Sequence, residues 1–195
     1  MAEAKGVDLS KADIIRRGIA MVPEGRGVFP RLTVAENLRF YATVYGLHGE
    51  ARTARLAGHM GRMGLLERAQ QLAGTLSGGW KQRLALGCAV LHEPRVVFLD
   101  EPTGGVDPVS RRQFWSLINS LSDRGVTVFV TTHYLDEAEH CHRLALMHAG
   151  RIAALGSVAE LKRIKDERWR DAIALALIPG LSDPHNVVAN RQAVP

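Results

Sequence analysis

The chain has few of the features that are typical of secreted proteins, membrane-spanning proteins or proteins stabilised by a structural metal ion. It has two cysteines among 195 residues, Cys88 and Cys141, and neither stands in a CxxC or CxxH pattern. We therefore expect reduced, partly buried thiols in a cytosolic protein, and neither a disulfide nor a metal site. No apolar run approaches the roughly 20 residues of a membrane-spanning helix, and the N-terminus has no signal-like apolar stretch. We expect membrane association only through a partner.

Lysine is also scarce, with five residues at positions 5, 11, 81, 162 and 165 in a Lys+Arg total of 25. The net charge of +5 therefore comes from arginines, which are scattered and form no basic stripe. We expect a solvated surface and no nucleic-acid partner. Composition and length are those of an ordinary globular protein with one domain, or one domain and a tail.

Three apolar runs bounded by turn residues predict strands. They are GIAMV at 18–22, RVVFLD at 95–100 and VTVFVTTH at 126–133. Because the last two runs are nearly continuous and not alternating, we expect both faces of their sheet to be covered. This pattern favours a parallel sheet between helices.

Helix-start signals lie between these runs. Thr33 and Glu36 form a capping-box pattern that predicts a helix to about Tyr45, and an arginine-rich helical stretch follows over residues 50–73. Ser77 opens a further helix with apolar residues recurring on one face. The pattern weakens after about residue 166, which predicts a loose tail.

An acidic pair follows the second predicted strand. Asp100 lies at the strand end and Glu101 on the turn, where the carboxyl ends of parallel strands carry ligand sites. Asp100 suits Mg²⁺ held through a water, and Glu101 suits polarising an attacking water. Taken alone, the pair fits a solvated turn equally well.

The segment LSGGWKQR places Ser77, Gly78 and Gly79 at a helix N-terminus. Unpaired N–H groups there bind anionic oxygens, and glycine lets a phosphate come close. By itself the segment also fits a plain serine N-cap with a flexible loop. His133 alone would be read as structural, but its place one strand beyond the acidic pair favours a functional role.

In their order along the chain, these stretches resemble the ATP-binding domain of ABC transporters. LSGGWKQRLALG looks like the signature motif of that family, VVFLDEP like its Walker B strand, GGVDP like its D-loop and TTH like its switch histidine. VPEGRGVFPRLTVAENL is similar to its Q-loop region. The resemblance covers roughly residues 14–163, and so many motifs in order are highly specific. It implies an α/β fold of the P-loop NTPase type, a parallel sheet flanked by helices, with a helical signature subdomain at about residues 33–91.

The resemblance implies a role for each matching position of the acidic site. Asp100 and Glu24 would contact Mg²⁺, and Glu101 would be the general base. His133 would contact the γ-phosphate of ATP and the water held by Glu101. The cofactors implied are therefore ATP and Mg²⁺.

The remaining motif positions imply an assembly. Ser77, Gly78 and Gly79 would touch the γ-phosphate of a nucleotide held by a second ABC ATPase subunit, and Asp107 would link the two sites across that dimer. Closure of the dimer would drive an integral membrane permease, contacted by the segment after Glu24. The domain would then be cytoplasmic and peripheral, at the inner face of the cytoplasmic membrane.

Two departures from the family pattern bear on the type of transporter. Glu24 stands where the family usually has glutamine, and the surrounding segment looks like branched-chain amino-acid importers. Trp80 also replaces glutamine, and GGWKQRLAL with the stretch at 91–115 looks like drug or ABC-2-type exporters. The longer stretch favours an exporter. We expect Trp80 to pack against its helix.

The chain contains no glycine-rich loop GxxxxGK[ST], because none of its lysines follows a glycine. The amides of that loop wrap the β-phosphate, and its lysine neutralises charge. We expect an N-terminally truncated domain that lacks the first strands and this Walker A loop: a remnant at 1–13, a partial ATP-binding domain at 14–163 and a C-terminal tail at 164–195. Such a chain would not hold MgATP by itself, so its status as an enzyme is left open.

Three interpretations follow. The first is a partial ATP-hydrolysing subunit that couples hydrolysis to transport across a membrane. The second is a degenerate partner that lends Ser77 and its glycines to an intact ATPase. The third, a non-transport ABC ATPase of DNA repair or chromosome organisation, is disfavoured because the segment between Glu24 and Ser77 is short and has no sustained heptads.

Overall fold

The central element is a mixed sheet of six strands in the part of the chain that the structure describes. A computed structural model describes residues 10–23, 27–134, 137–148, 151–161, 163 and 173–178. The strand order is β1-β2-β3-β6-β4-β5. The first three strands are parallel, β6 runs antiparallel to β3 and β4, and β4 pairs antiparallel with β5. The strands are β1 Ile19–Val22, β2 Val96–Asp100, β3 Thr127–Thr132, β4 Arg143–His148, β5 Arg151–Gly156 and β6 Ile173–Ile178.

Six α-helices are described, and the predicted start of the second is confirmed. Thr33 Oγ1 accepts from the Glu36 N–H at 3.2 Å, and Glu36 Oε2 accepts from the Thr33 N–H at 2.7 Å, which completes the capping box. No helix within the described ranges has the length and apolar character needed to cross a bilayer. The helices are α1 Lys11–Arg16, α2 Val34–Val44, α3 Gly49–Arg62, α4 Gly78–Ala89, α5 Pro108–Ser122 and α6 Val158–Leu161, with 3₁₀ turns at Leu66–Arg68, Ala73–Thr75 and Glu137–His140.

Helix α2 holds the segment that precedes it. Asn37 is fully buried; its Oδ1 accepts from the Phe29 N–H at 2.8 Å and its Nδ2 donates to the Phe29 carbonyl at 3.0 Å. The Tyr41 hydroxyl donates to the Gly27 carbonyl. A buried amide that is fully paired is strongly position-specific, so residues 27–29 are fixed on the helical region.

The parallel strands are buried on one face only. Val97, Leu99 and Val128 are at most 1% exposed, on the side where α4 packs on β1 and α5 packs on β3. On the other side Met21 is 63% exposed and Phe98 40% exposed. The expectation that both faces are covered is therefore wrong for the described residues. An apolar run in the sequence shows that a strand has apolar side chains on both faces. It does not show whether a helix packs against each face.

The bare face is an apolar row across three strands. Met21 is in register with Phe98, and Phe98 with Phe129. The rings of Phe98 and Phe129 stack at a centroid distance of 4.8 Å and an interplanar angle of 11°. We call Met21, Phe98 and Phe129 the apolar row.

The predicted loose tail contains a strand. Residues 173–178, IALALI, form β6 between β3 and β4, with Phe129 opposite Leu177 and Ala145 opposite Leu175. Six apolar residues in succession suit a strand inside a sheet, and the weak flanking pattern hid this. Residues 164–172 and 179–195 lie outside the described ranges, and the rest of the proposed domain division remains a prediction.

Candidate functional site

The carboxyl ends of β2 and β3 are tied together by one threonine. Asp100 ends β2 and is in register with Thr131 of β3. The Thr131 hydroxyl donates to Asp100 Oδ1 at 2.5 Å, and the Glu101 N–H donates to the Thr131 carbonyl at 3.1 Å. Sequence reasoning missed Thr131, because its place opposite Asp100 depends on strand pairing. It fixes the direction of the Asp100 carboxylate.

The predicted base and switch histidine meet at this edge. Glu101 Oε1 lies 3.0 Å from His133 Nδ1, and the side chains are 34% and 49% exposed. Glu101 has a φ of +41°, an unfavourable region for a residue with a side chain, and it turns the chain sharply at the strand end. Such strain is typical of functional sites. A carboxylate and an imidazole at this distance, open to solvent, can accept and pass on a proton.

The donors around Asp100 fit a sparsely coordinated Mg²⁺. Protein Mg²⁺ sites with phosphate substrates use one or two carboxylates, several waters and the phosphate oxygens. The described residues contain no cluster of three or more His, Cys, Asp or Glu that would form an all-protein cage, and Asp100 supplies one carboxylate. Glu24, the other predicted contact, lies outside the described residues, so its role stays a prediction.

The N-terminus of α4 carries the predicted signature residues. Ser77 is the N-cap, its side chain makes no capping hydrogen bond, and the residue is exposed. The first helical bond runs from the Lys81 N–H to the Ser77 carbonyl at 3.0 Å. The N–H groups of Gly78 and Gly79 therefore belong to the helix turn that has no internal acceptors. This end of α4 can receive an anion.

Gly79 is also required for packing. A Cβ at this position would lie 2.6 Å from Ser110 Cβ and 2.8 Å from Ser110 Oγ, because the first turns of α4 and α5 cross there. Sequence reasoning assigned Gly79 to the approach of phosphate alone. The structure adds a close contact that joins the signature segment to α5.

Asp107 caps α5. Its Oδ1 accepts from the N–H groups of Val109 at 3.1 Å and Ser110 at 2.9 Å, and Pro108 occupies the first helical position. Hydrogen bonds from Ser110, side chain first and then backbone, lower the pKa of Asp107. These described contacts lie within its own helix, and its link across a dimer stays a prediction.

Trp80 packs as expected, with two partners that sequence reasoning missed. The guanidinium carbons of Arg68 and Arg83 lie 4.3 Å and 4.8 Å from its ring centroid. Arg83 also donates to Gln113 Oε1 of α5 at 2.6 Å. The Arg83 contact has a sequence signal, because residues three apart on a helix are neighbours; Arg68 has none.

Comparison with known proteins agrees with this geometry. The profile of the ABC transporter family matches residues 2–104. The probable multidrug ABC transporter ATP-binding protein YbhF of Escherichia coli strain K12 is 44% identical over 158 residues, covering 80% of this chain and 27% of that protein. The linearmycin resistance ATP-binding protein LnrL of Bacillus subtilis strain 168 is 39% identical, covering 80% of this chain and 50% of that protein.

A solved ATP-binding subunit of an ABC transporter has the same fold, with a TM-score of 0.64 at 32% identity over 76% of this chain and 62% of that one. The chain spans half or less of the length of the two curated relatives. The family profile covers the signature segment and the Walker B strand, whose residues the fold brings to the strand ends and to the start of α4. This chain belongs to the ABC transporter family.

Proposed function

We propose that this chain is an ATP-binding subunit of an ABC exporter and couples ATP hydrolysis to transport across the cytoplasmic membrane. The observation that carries the proposal is the pairing of Glu101 with His133 at 3.0 Å beside Asp100. An exporter is supported by two relatives whose names refer to multiple drugs and to linearmycin resistance.

The acidic site supplies the groups that hydrolysis needs. Glu101 accepts a proton from the water that attacks the γ-phosphate, and His133 orients the Glu101 carboxylate and the phosphate. Asp100, directed by the Thr131 hydroxyl, would hold Mg²⁺, which would neutralise charge on the phosphates. The half-exposed setting of Glu101 and His133 leaves room for nucleotide and water.

Binding of the nucleotide requires a phosphate loop in addition to this acidic site. The 195 residues contain no GxxxxGK[ST] loop, so we propose that they do not hold MgATP without a phosphate loop from other polypeptide. Ser77, Gly78 and Gly79 then face a nucleotide held by a second ATPase subunit. The uncapped, exposed Ser77 side chain supports this assignment, since nothing within its own helix occupies it.

The surface after Glu24 suits a membrane partner. Phe29 and Phe40 are 41% and 44% exposed, and their rings meet edge to face at 4.7 Å. Asn37 holds the Phe29 backbone, so this apolar pair is presented rigidly. We propose that it contacts an integral membrane permease, which would keep the domain at the inner face of the cytoplasmic membrane.

ATP turnover tests the catalytic assignment. The purified chain is assayed alone and mixed with an ABC ATPase subunit that carries an intact phosphate loop but has no turnover by itself. We expect no turnover alone, and in the mixture a loss of about 10²-fold or more on Glu101→Gln, the range of a lost general base. Glu67→Gln, at an exposed position in the 3₁₀ turn Leu66–Arg68, is the matched control. If the chain alone turns over ATP and this turnover needs Glu101, the proposal that the chain does not hold MgATP by itself is wrong. If Glu101→Gln leaves the turnover of the mixture unchanged, the proposal that Glu101 is the general base is wrong.

The same mixture separates the degenerate-partner interpretation, which the exposed start of α4 favours. If the chain only lends its signature segment, Ser77→Arg abolishes the turnover of the mixture while Glu101→Gln leaves it unchanged. If both substitutions reduce turnover, the chain contributes both a signature segment and a hydrolytic site.

A further inference from the structure

The turn that follows the switch histidine is attached to α5 by a buried ion pair. Glu137 is 1% exposed, and its Oε1 lies 3.7 Å from Nε of Arg111, whose side chain is 23% exposed. The Arg111 guanidinium also lies over the Tyr134 ring, 4.8 Å from its centroid. Tyr134 is the residue directly after His133, so one arginine contacts both ends of this turn.

Further contacts fix the turn at the same helix. Trp115, one helical turn beyond Arg111, stacks on His140 at 4.9 Å and 20°. The Glu137 N–H donates to the Tyr134 carbonyl at 3.1 Å. The Tyr134 N–H donates to the Thr132 hydroxyl at 3.0 Å. Tyr134 is therefore held from the strand, from the turn and from α5.

His133 contacts Tyr134 as well as Glu101. The His133 side chain is about half exposed, and its ring packs against the Tyr134 ring at a centroid distance of 4.1 Å. An exposed imidazole samples several rotamers unless a neighbour restricts it. The Tyr134 ring also lies under the Arg111 guanidinium, and arginine stacks on aromatic rings as lysine does not.

Arg111 also joins this arrangement to the D-loop. Its N–H donates to the carbonyl of Asp107, the N-cap of α5, at 2.9 Å. The first turn of α5 in turn crosses the first turn of α4 at Gly79 and Ser110. The hydrogen bond from the Arg111 N–H is the first backbone bond of α5, so Arg111 belongs to the start of that helix while its side chain contacts Glu137 and the Tyr134 ring.

We infer that Arg111 and Glu137 are positioning residues that hold His133 against Glu101, and that they couple this pair to the start of α5. The inference rests on the proposed function of Glu101 and His133 as the hydrolytic pair. The Walker B strand and the switch-histidine motif, which carry the proposed hydrolytic pair, contain neither Arg111 nor Glu137. Both act through Tyr134 and touch no reacting atom.

The test is a histidine-ring NMR spectrum of the full 195-residue chain, with His133 assigned from a His133→Gln variant. We expect Arg111→Met and Glu137→Gln to shift or broaden the His133 ring signal while the buried His59 signal stays in place. Arg111→Lys, which keeps the charge but loses the planar stack, should give an intermediate change. Arg112→Met, a substitution of the neighbouring exposed arginine, is the matched control and should leave both signals unchanged.

A purely structural ion pair would lower the unfolding temperature without moving the His133 signal, and that result would overturn the inference. If Glu137→Gln does not fold, Glu137→Asp takes its place, and an unchanged His133 signal in both Glu137→Asp and Arg111→Lys also overturns it. In the ATP-hydrolysing mixture, kcat should fall about tenfold to a hundredfold with KM unchanged, the cost of a misplaced catalytic group. The NMR result holds or fails independently of turnover, so a failed proposed function is recognised separately.

Discussion

The two faces of the parallel strands carry side chains of the same apolar kind and have different surroundings. One face packs on α4 and α5 and is almost fully buried, whereas on the other face Met21 and Phe98 of the apolar row are exposed. Parallel sheets are normally covered on both faces. The covered face is built by the helices that also carry the signature segment and the D-loop. We propose that polypeptide outside the described residues covers the apolar row.

Paired substitutions on adjacent residues of β2 test this contrast with the largest expected effect. Leu99→Ala, on the covered face, should cost about 2–5 kcal/mol of the free energy of unfolding, because it leaves a cavity in a packed core. Phe98→Ala, on the apolar row, should cost about 1 kcal/mol or less, because much of that ring is already in water. Denaturant unfolding of the two variants measures both. Equal losses would mean that the second face is covered in solution.

The crossing of α4 and α5 gives the next effect. Gly79→Ala should cost about 1–3 kcal/mol of unfolding free energy, because the new methyl group overlaps Ser110. Adding Ser110→Gly should recover part of that loss. Gly58→Ala on α3, where a Cβ meets only the end of the Arg62 side chain at 3.7 Å, is the matched control and should stabilise the helix slightly. A harmless Gly79→Ala would show that the two helix starts are not in contact.

A buried histidine of α3 gives the stability of the protein a pH dependence. His59 is 4% exposed, its Nε2 lies 2.7 Å from the Gly87 carbonyl, and burial lowers its pKa from 6.5 to about 4. The unfolded chain therefore binds a proton that the folded chain excludes between these two values. Stability should be retained above pH 6.5 and fall as the pH drops toward 4, by about 1 kcal/mol between pH 7 and pH 5.5.

Urea unfolding at a series of pH values measures this slope. His48→Gln, a change at an exposed histidine, should leave the slope unchanged, whereas His59→Gln should flatten it. A slope that survives in His59→Gln would assign the pH dependence to another group and contradict the account of His59.

The parts of the fold that the sequence predicts correctly are those that depend only on neighbouring residues. The capping box at Thr33 and the strand ending at Asp100 are such parts, and the motif order placed Glu101 and His133 at one edge. Features that depend on pairing partners far along the chain were out of reach. Thr131 is an ordinary strand former until its register with Asp100 is known, and the strand at 173–178 lies in a stretch whose weak pattern predicts a loose tail.

The contrast between the two sheet faces was missed for a related reason. An apolar run is the same whether a helix covers it or not, so Phe98 and Leu99 are indistinguishable in sequence. Gly79 illustrates the opposite case, because one glycine serves both the start of α4 and its packing against Ser110. The motif predicts a glycine at position 79 for the approach of phosphate, but it does not predict that Ser110 leaves no room for a Cβ there.

Binding of MgATP to the purified 195-residue chain, followed by calorimetry, tests the central claim most directly. The residues proposed to act on the γ-phosphate lie together at one sheet edge, and the sequence contains no GxxxxGK[ST] loop. We predict no saturable binding up to about 1 mM nucleotide, a limit that corresponds to about 4 kcal/mol of binding free energy. Saturable, Mg²⁺-dependent binding at lower concentrations that Asp100→Asn abolishes would contradict the account.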